Sequence, residues 1–147
     1  MQAWWMQMND AGAALELRET PQPEPGPTQL LVRVRAASLN RGEFLPSHGQ
    51  AGAWKATGGE CAGEVVAVGA QATGFQPGSR VMGRCTGAFA EYALMESAEA
   101  MPVPANLSWE QAASIPLAFM VTFDMLVLQG RLQAGEWLLV NGVSSGV

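Results

Sequence analysis

Apolar and polar residues alternate through QLLVRVRAASL, with Leu31, Arg33 and Arg35 set against Val32, Val34 and Ala36. A period of two over this length predicts a half-buried strand whose arginines lie on a solvated face. Two shorter strands are predicted upstream, at residues 3–8, where Trp4 and Trp5 supply bulk, and at Ala14 to Arg18, joined by a turn at Asn9, Asp10 and Gly12. PQPEPGPT (Pro21 to Thr28) reads as a stiff extended loop, because its four prolines cannot donate to a ladder. Asn40 to Gly52 breaks the pattern and predicts a loop with one helical turn.

The stretch from Gly58 to Gly83, GGECAGEVVAVGAQATGFQPGSRVMG, predicts two apolar strands, VVAVG and RVMG, joined by a glycine-rich turn. Glycines at 58, 59, 63, 69, 74, 78 and 83 suit a tightly curved barrel better than a flat sheet. GAFAEYALMES predicts a further strand, and MPVPANLS a loop ending on Asn106 or Ser108 as a helix N-cap, with Glu110 in the first turn. A helix then runs from Trp109 until Pro116 interrupts it. A second helix, about Phe119 to Gln129, closes at Gly130. Glu136 to Asn141 (EWLLVN) is apolar on both faces, as buried parallel strands are, and leads into the glycine-rich GVSSGV. A turn of that kind normally opens a helix whose N-terminus holds a phosphate. The expectation is a piece of a longer protein, cut where a second domain begins.

Composition narrows the function classes. With 147 residues, 48% hydrophobic and 14% charged, the chain is long enough for one real core and too apolar for a disordered tail. Its net charge is −5 and its basic residues are scattered singly, which argues against nucleic acid and anionic membrane as partners. The apolar run from Ile115 to Leu128 is shorter than the roughly 20 residues that span a bilayer, and it contains Asp124. Two cysteines, Cys61 and Cys85, make neither a disulfide framework nor a zinc knuckle, so a soluble protein in a reducing cytoplasm is expected. Cys61 reads as a small hydrophobe and Cys85 as the more exposed of the two. His48, the single histidine, is either a proton donor at a cleft rim or an idle loop residue.

Six blocks in order, AASLNRGE, GGECAGEVVAVG, FQPGSRVMG, GAFAEYAL, PANLSWEQAASIPLAF and AGEWLLVNGVSSGV, resemble the medium-chain dehydrogenase/reductase superfamily. The branch they resemble is that of the zinc-independent quinone oxidoreductases and the enoyl reductase domains of polyketide synthases. The resemblance implies a mainly β fold with a few helices: a GroES-like β-barrel catalytic domain over residues 1–117. Residues 118–147 would hold the linking helix and first strand of a truncated Rossmann domain. It also implies hydride transfer from NADPH, with NADH possible, to an enone, quinone or enoyl thioester, by a full-length protein that is a homo-oligomer.

Zinc-using relatives place a Cys-x-x-Asp after the long strand, a Gly-His-Glu before the glycine-punctuated one, and a further ligand near the later proline. Here those slots hold Asn40 with Glu43, Gly59 with Glu60, and about Leu117, so no zinc is expected. Glu60 reads as a hydrogen-bonded structural group. The loop after the long strand carries over as substrate and cofactor contacts: Asn40, Arg41, Gly42, Glu43, Phe44 and Leu45. Asn40 or Arg41 is the candidate donor to a developing enolate. The alternative for Arg41-Gly42-Glu43 is an ordinary solvated turn. The nicotinamide-contacting threonine slot of the family falls on Val121, with Thr122 one place later. Ser144, Ser145 and Gly146 are the candidate pyrophosphate contacts, on a glycine motif that is incomplete.

Two other readings compete. A non-catalytic GroES-like binding or assembly module would lack the WEQAASIP helices, since a co-chaperonin is about two-thirds this length. A redox-inactive family member is left open by the altered threonine slot.

Overall fold

The computed structural model describes residues 1–9, 12–44 and 52–144. In chain order its elements are β1 (Gln2–Asn9), β2 (Gly12–Glu19), β3 (Gln29–Ala37), a 3-10 turn (Arg41–Phe44), β4 (Lys55–Ala56), β5 (Glu60–Val68), β6 (Arg80–Arg84), β7 (Tyr92–Glu96), β8 (Ala100–Pro102), α1 (Trp109–Ala113), α2 (Pro116–Phe123) and a π-helical continuation (Asp124–Gln129). The strands make a small sheet ordered β2-β1-β4 and a larger one ordered β7-β3-β5-β6-β8. The two sheets are stitched where β1 meets the segment before β7: Trp4 N donates to Phe89 O at 2.8 Å and Glu91 N to Gln2 O at 3.1 Å. The result is the curled, mainly β architecture of a GroES-like domain with a few helices attached.

β5 holds the centre because it is buried on both faces. Successive strand residues point to opposite sides. Cys61 and Val65 therefore join Leu30, Val32, Val81 and Met95 in one cluster. Ala62 turns the other way and packs with Met82, Val103, Ala112 and Ala113, so α1 covers that face. This docking is pinned at Arg80, whose Nη2 donates to Leu107 O at 3.0 Å while its guanidinium lies 4.3 Å from the Trp109 ring centre. Gly63 makes the close β3–β5 approach possible: a Cβ there would sit 2.2 Å from Arg33 O. Gly58 has φ +99° and lies against Phe89 N, 2.5 Å from where a Cβ would be.

α1 begins as its sequence predicts. Ser108 accepts from Gln111 N at 3.2 Å, and Gln111 Oε1 accepts from Ser108 N at 3.0 Å, a reciprocal capping box. Two helices form on either side of the break before Pro116 as expected, but the second starts at Pro116 rather than about Phe119. Pro116 is the first residue of α2, where its missing N–H costs nothing and its fixed φ suits the helix. The helix ends after Gln129 as predicted, but the left-handed residue is Arg131 (φ 52°), and Gly130 keeps a right-handed conformation.

Two expectations fail. Residues 100–102 form β8, paired with β6 through Val81↔Pro102 and Gly83↔Ala100, where a loop was predicted. Pro102 is tolerated because β8 is an edge strand. Conversely, Glu136 to Asn141 is not a strand: it pairs with nothing among the described residues and is exposed throughout, with Trp137 98% exposed. An apolar pattern marks a segment able to pair, but a strand exists only against a partner.

Candidate functional site

Three chain segments distant in sequence meet at one buried carboxyl group. Glu60, the first residue of β5, is only 3% exposed. Its Oε1 accepts from Ser38 Oγ and, at 2.8 Å, from Asn40 Nδ2, both just beyond β3. Its Oε2 accepts from Leu117 N at 2.7 Å, in the first turn of α2. Glu43 completes the junction from the 3-10 turn, where Oε1 accepts from Gly59 N at 2.6 Å and Oε2 from Asn40 N at 3.1 Å. Burying such groups is costly unless every donor and acceptor is matched, and here each carboxyl oxygen has a partner. The segments around Asn40, Gly59 and Leu117 thus converge, as the three slots compared above would.

The arrangement fixes what Asn40 can offer. A carboxyl oxygen that accepts hydrogen bonds cannot face an amide oxygen, so the Asn40 NH2 must point at Glu60. It also lies 3.5 Å from Ser38 Oγ. Asn40 Oδ1 is left without a partner among the described residues. The Asn40 NH2 is thus already engaged by Glu60, and Arg41, the other candidate donor, is exposed beside it.

Phe44, at the end of the turn, stacks on Phe89 with ring centres 6.4 Å apart and planes inclined by 13°. With Trp4, Leu15, Ala37 and Leu39 they line an apolar groove of about 360 Å³. Phe89 and Leu39 were not among the expected site residues; both become visible only once the strand order brings residues 37–44 against 88–89. Gly42 is exposed and Glu43 is structural as described. Leu45, like His48, lies outside the described residues.

The second expected contact region is on α2. Val121 is half-buried and Thr122 exposed. Thr122 Oγ1 donates to Ala118 O at 2.8 Å, so its hydroxyl offers only lone pairs outward. Thr122 lines an apolar groove of about 300 Å³ with Phe119, Phe123, Leu126 and Val127. Glu60 links α2 to the Asn40 turn through Leu117. Ser144 sits exposed in a turn beyond the helix, and Ser145 and Gly146 lie outside the described residues.

Behind Glu60 lie the two thiols. Cys85 Sγ donates to Cys61 Sγ across 3.4 Å. That hydrogen bond, then burial, then the proximity of Glu60 and Glu43 hold the Cys85 thiol far above the ordinary thiol range. Cys61 is a buried core residue, as expected. Cys85 is the more accessible, yet it is a proton-retaining group rather than a nucleophile.

The family model described as "Alcohol dehydrogenase GroES-like domain" matches residues 26–105. The chain belongs to this family. Within the medium-chain dehydrogenase/reductase superfamily, this GroES-like chain is 34% identical over 148 residues to the spectinabilin polyketide synthase system protein NorB of Streptomyces orinoci, covering 98% of the chain and 7% of that protein. It is 33% identical over 141 residues to a quinone oxidoreductase of Pseudomonas aeruginosa, covering 90% of the chain and 42% of that protein. Among solved structures, a mycobacterial protein complexed with NADPH superposes with a TM-score of 0.80 at 27% identity, over 92% of this chain and 44% of the other. The GroES-like chain therefore spans less than half the length of these relatives. Its relatives thus include a quinone oxidoreductase and a polyketide synthase system protein. No helix among the described residues is long and apolar enough to cross a membrane.

Proposed function

We propose that this chain is the substrate-side part of an NADPH-dependent, zinc-independent reductase of an activated C=C bond or quinone. Residues 1–117 form its catalytic domain, and the chain from residue 118 leads into its cofactor domain. The observation that carries the reading is the junction at Glu60. The three segments that bring metal ligands in zinc-using relatives converge here with Asn40, Gly59 and Leu117 in their places. Neither thiol nor imidazole is offered at those positions, and the two nearby carboxyls are saturated by hydrogen bonds from Ser38, Asn40, Gly59 and Leu117. A donor set of this kind does not fit zinc.

The same residues fit a nicotinamide ring and a flat conjugated substrate. A bound nicotinamide supplies the hydride. The groove of Leu39, Phe44 and Phe89 would exclude water and seat an apolar plane. Arg41 would donate to the carbonyl oxygen on which negative charge develops. Asn40 Oδ1 and the lone pairs of Thr122 Oγ1 would serve as acceptors toward the cofactor. The added proton comes from solvent. Ser144 and its two neighbours would sit near the pyrophosphate. The resemblance carries with it a cytoplasmic, homo-oligomeric full-length protein.

The test is to purify the full-length protein and follow NADPH absorbance with a quinone, an enone and an enoyl thioester in turn, with metal analysis of the same sample. Turnover of one of them with less than about 0.1 zinc per chain is expected. One zinc per chain, or no binding of NADPH or NADH, would overturn the proposal.

A further inference from the structure

We infer that Glu60 is a positioning residue that sets the hydrogen-bond polarity of Asn40, so that the site presents an amide oxygen rather than an amide NH2 to the cofactor. The inference rests on the function proposed above and specifies one contact within it. Glu60 is buried, accepts at both of its oxygens, and takes the hydrogen bond from Asn40 Nδ2 at 2.8 Å. Its second oxygen is held by Leu117 N at 2.7 Å, a backbone donor that cannot reverse. Glu60 is thus fixed from the α2 side, and Asn40 has one orientation open to it. What remains for a ligand is Oδ1, an acceptor with no partner among the described residues.

The chemistry of the possible partners then decides which ligand that oxygen meets. Quinones, enones and enoyl thioesters offer carbonyl oxygens, which only accept. The carboxamide of a nicotinamide ring offers an N–H. Asn40 Oδ1 therefore takes the carboxamide, which fixes the rotation of the ring relative to the Leu39–Phe44–Phe89 groove, while substrate carbonyls are left to Arg41.

Swapping the polarity of both partners tests this. In E60Q the new amide oxygen must keep Leu117 N, so its NH2 faces Asn40. Asn40 then turns over and points its own NH2 outward, donor against donor with the carboxamide. N40D sets a second carboxyl against Glu60. In the double variant E60Q/N40D the new NH2 is met by a carboxyl oxygen, and an acceptor again faces the cleft. NADPH affinity of the full-length protein, read by fluorescence titration, should fall about tenfold in each single variant. It should return to within about threefold of wild type in the double variant. Losses that add in the double variant would overturn the inference while leaving the proposed function intact. Wild-type protein that does not bind NADPH would overturn both. The double variant has matched donors and acceptors, so if either single variant fails to fold, its affinity alone decides.

Discussion

The N–H of Leu117 donates to Glu60 Oε2 at 2.7 Å across 57 residues of sequence, tying the first turn of α2 to the first residue of β5. Two more donors, Ser38 and Asn40, share the other oxygen. Glu60→Ala would strand all three in a site with little access to water. Leaving buried donors unmet costs about 1–3 kcal/mol each, partly relieved by relaxation and water entry. We expect E60A to lose about 3–4 kcal/mol in urea denaturation of the full-length protein. A loss below 1 kcal/mol would show that the junction is not stabilising.

Gly63 lies where β3 and β5 run closest, and the clash there is with backbone. A methyl at this position meets Arg33 O at 2.2 Å and Val32 Cγ1 at 2.7 Å. The Arg33 carbonyl cannot move without opening the ladder at Val34↔Gly63. Gly63→Ala should therefore cost about 3 kcal/mol or more, against about 1 kcal/mol for Gly74→Ser. Gly74 has open space around its Cβ position, though its φ of +85° adds some strain. Melting temperatures of the two variants compare them directly.

Local signals were readable and long-range ones were not. Alternation in Leu31 to Ala36 revealed β3, and Ser108 with Gln111 marked the start of α1, because both depend on near neighbours. The break in the strand pattern at Asn40 marked a loop with one helical turn, which forms at Arg41–Phe44. Glu60 reads as a hydrogen-bonded structural group and is one, but its donors come from residues 38, 40 and 117, which no local pattern connects. The pairing of Phe89 with Phe44 is invisible locally for the same reason: the two rings meet only through the sheet stitching at Trp4. β8 was hidden by its proline, which an edge strand accepts. EWLLVN misled because an apolar run reports capacity for burial, and its exposure here depends on what stands beside it.

The Phe44–Phe89 stack forms one wall of the apolar groove beside Asn40. Phe89→Ala removes a ring that would bury an apolar substrate, an effect of about 1.5 kcal/mol or more. KM for a bulky quinone should rise about tenfold, with kcat changed less than threefold, in steady-state assays of the full-length protein. A fall in kcat with constant KM would place Phe89 in the chemical step instead.

Cys85 links stability to alkaline pH. Its thiol keeps its proton in the folded state, held by the 3.4 Å hydrogen bond to Cys61 and by burial. An unfolded thiol loses its proton near pH 8.5. Below that pH both states are protonated and the group has no pH dependence. Above it the unfolded state binds fewer protons than the folded one, so stability falls as pH rises, by about 1.4 kcal/mol per unit for this thiol. The folded thiol's upward shift keeps the slope running through the accessible alkaline range. Between pH 8.5 and 10 this thiol should account for a loss of about 1.6 kcal/mol, and Cys85→Ala should remove that part of the slope. An unchanged slope in C85A would mean that the thiol ionises equally in both states. The same property predicts that native Cys85 resists iodoacetamide at pH 8 and is labelled only after unfolding. Mass spectrometry of native and urea-treated samples reads this out, and rapid labelling of the native protein would contradict a proton held between the two sulfurs.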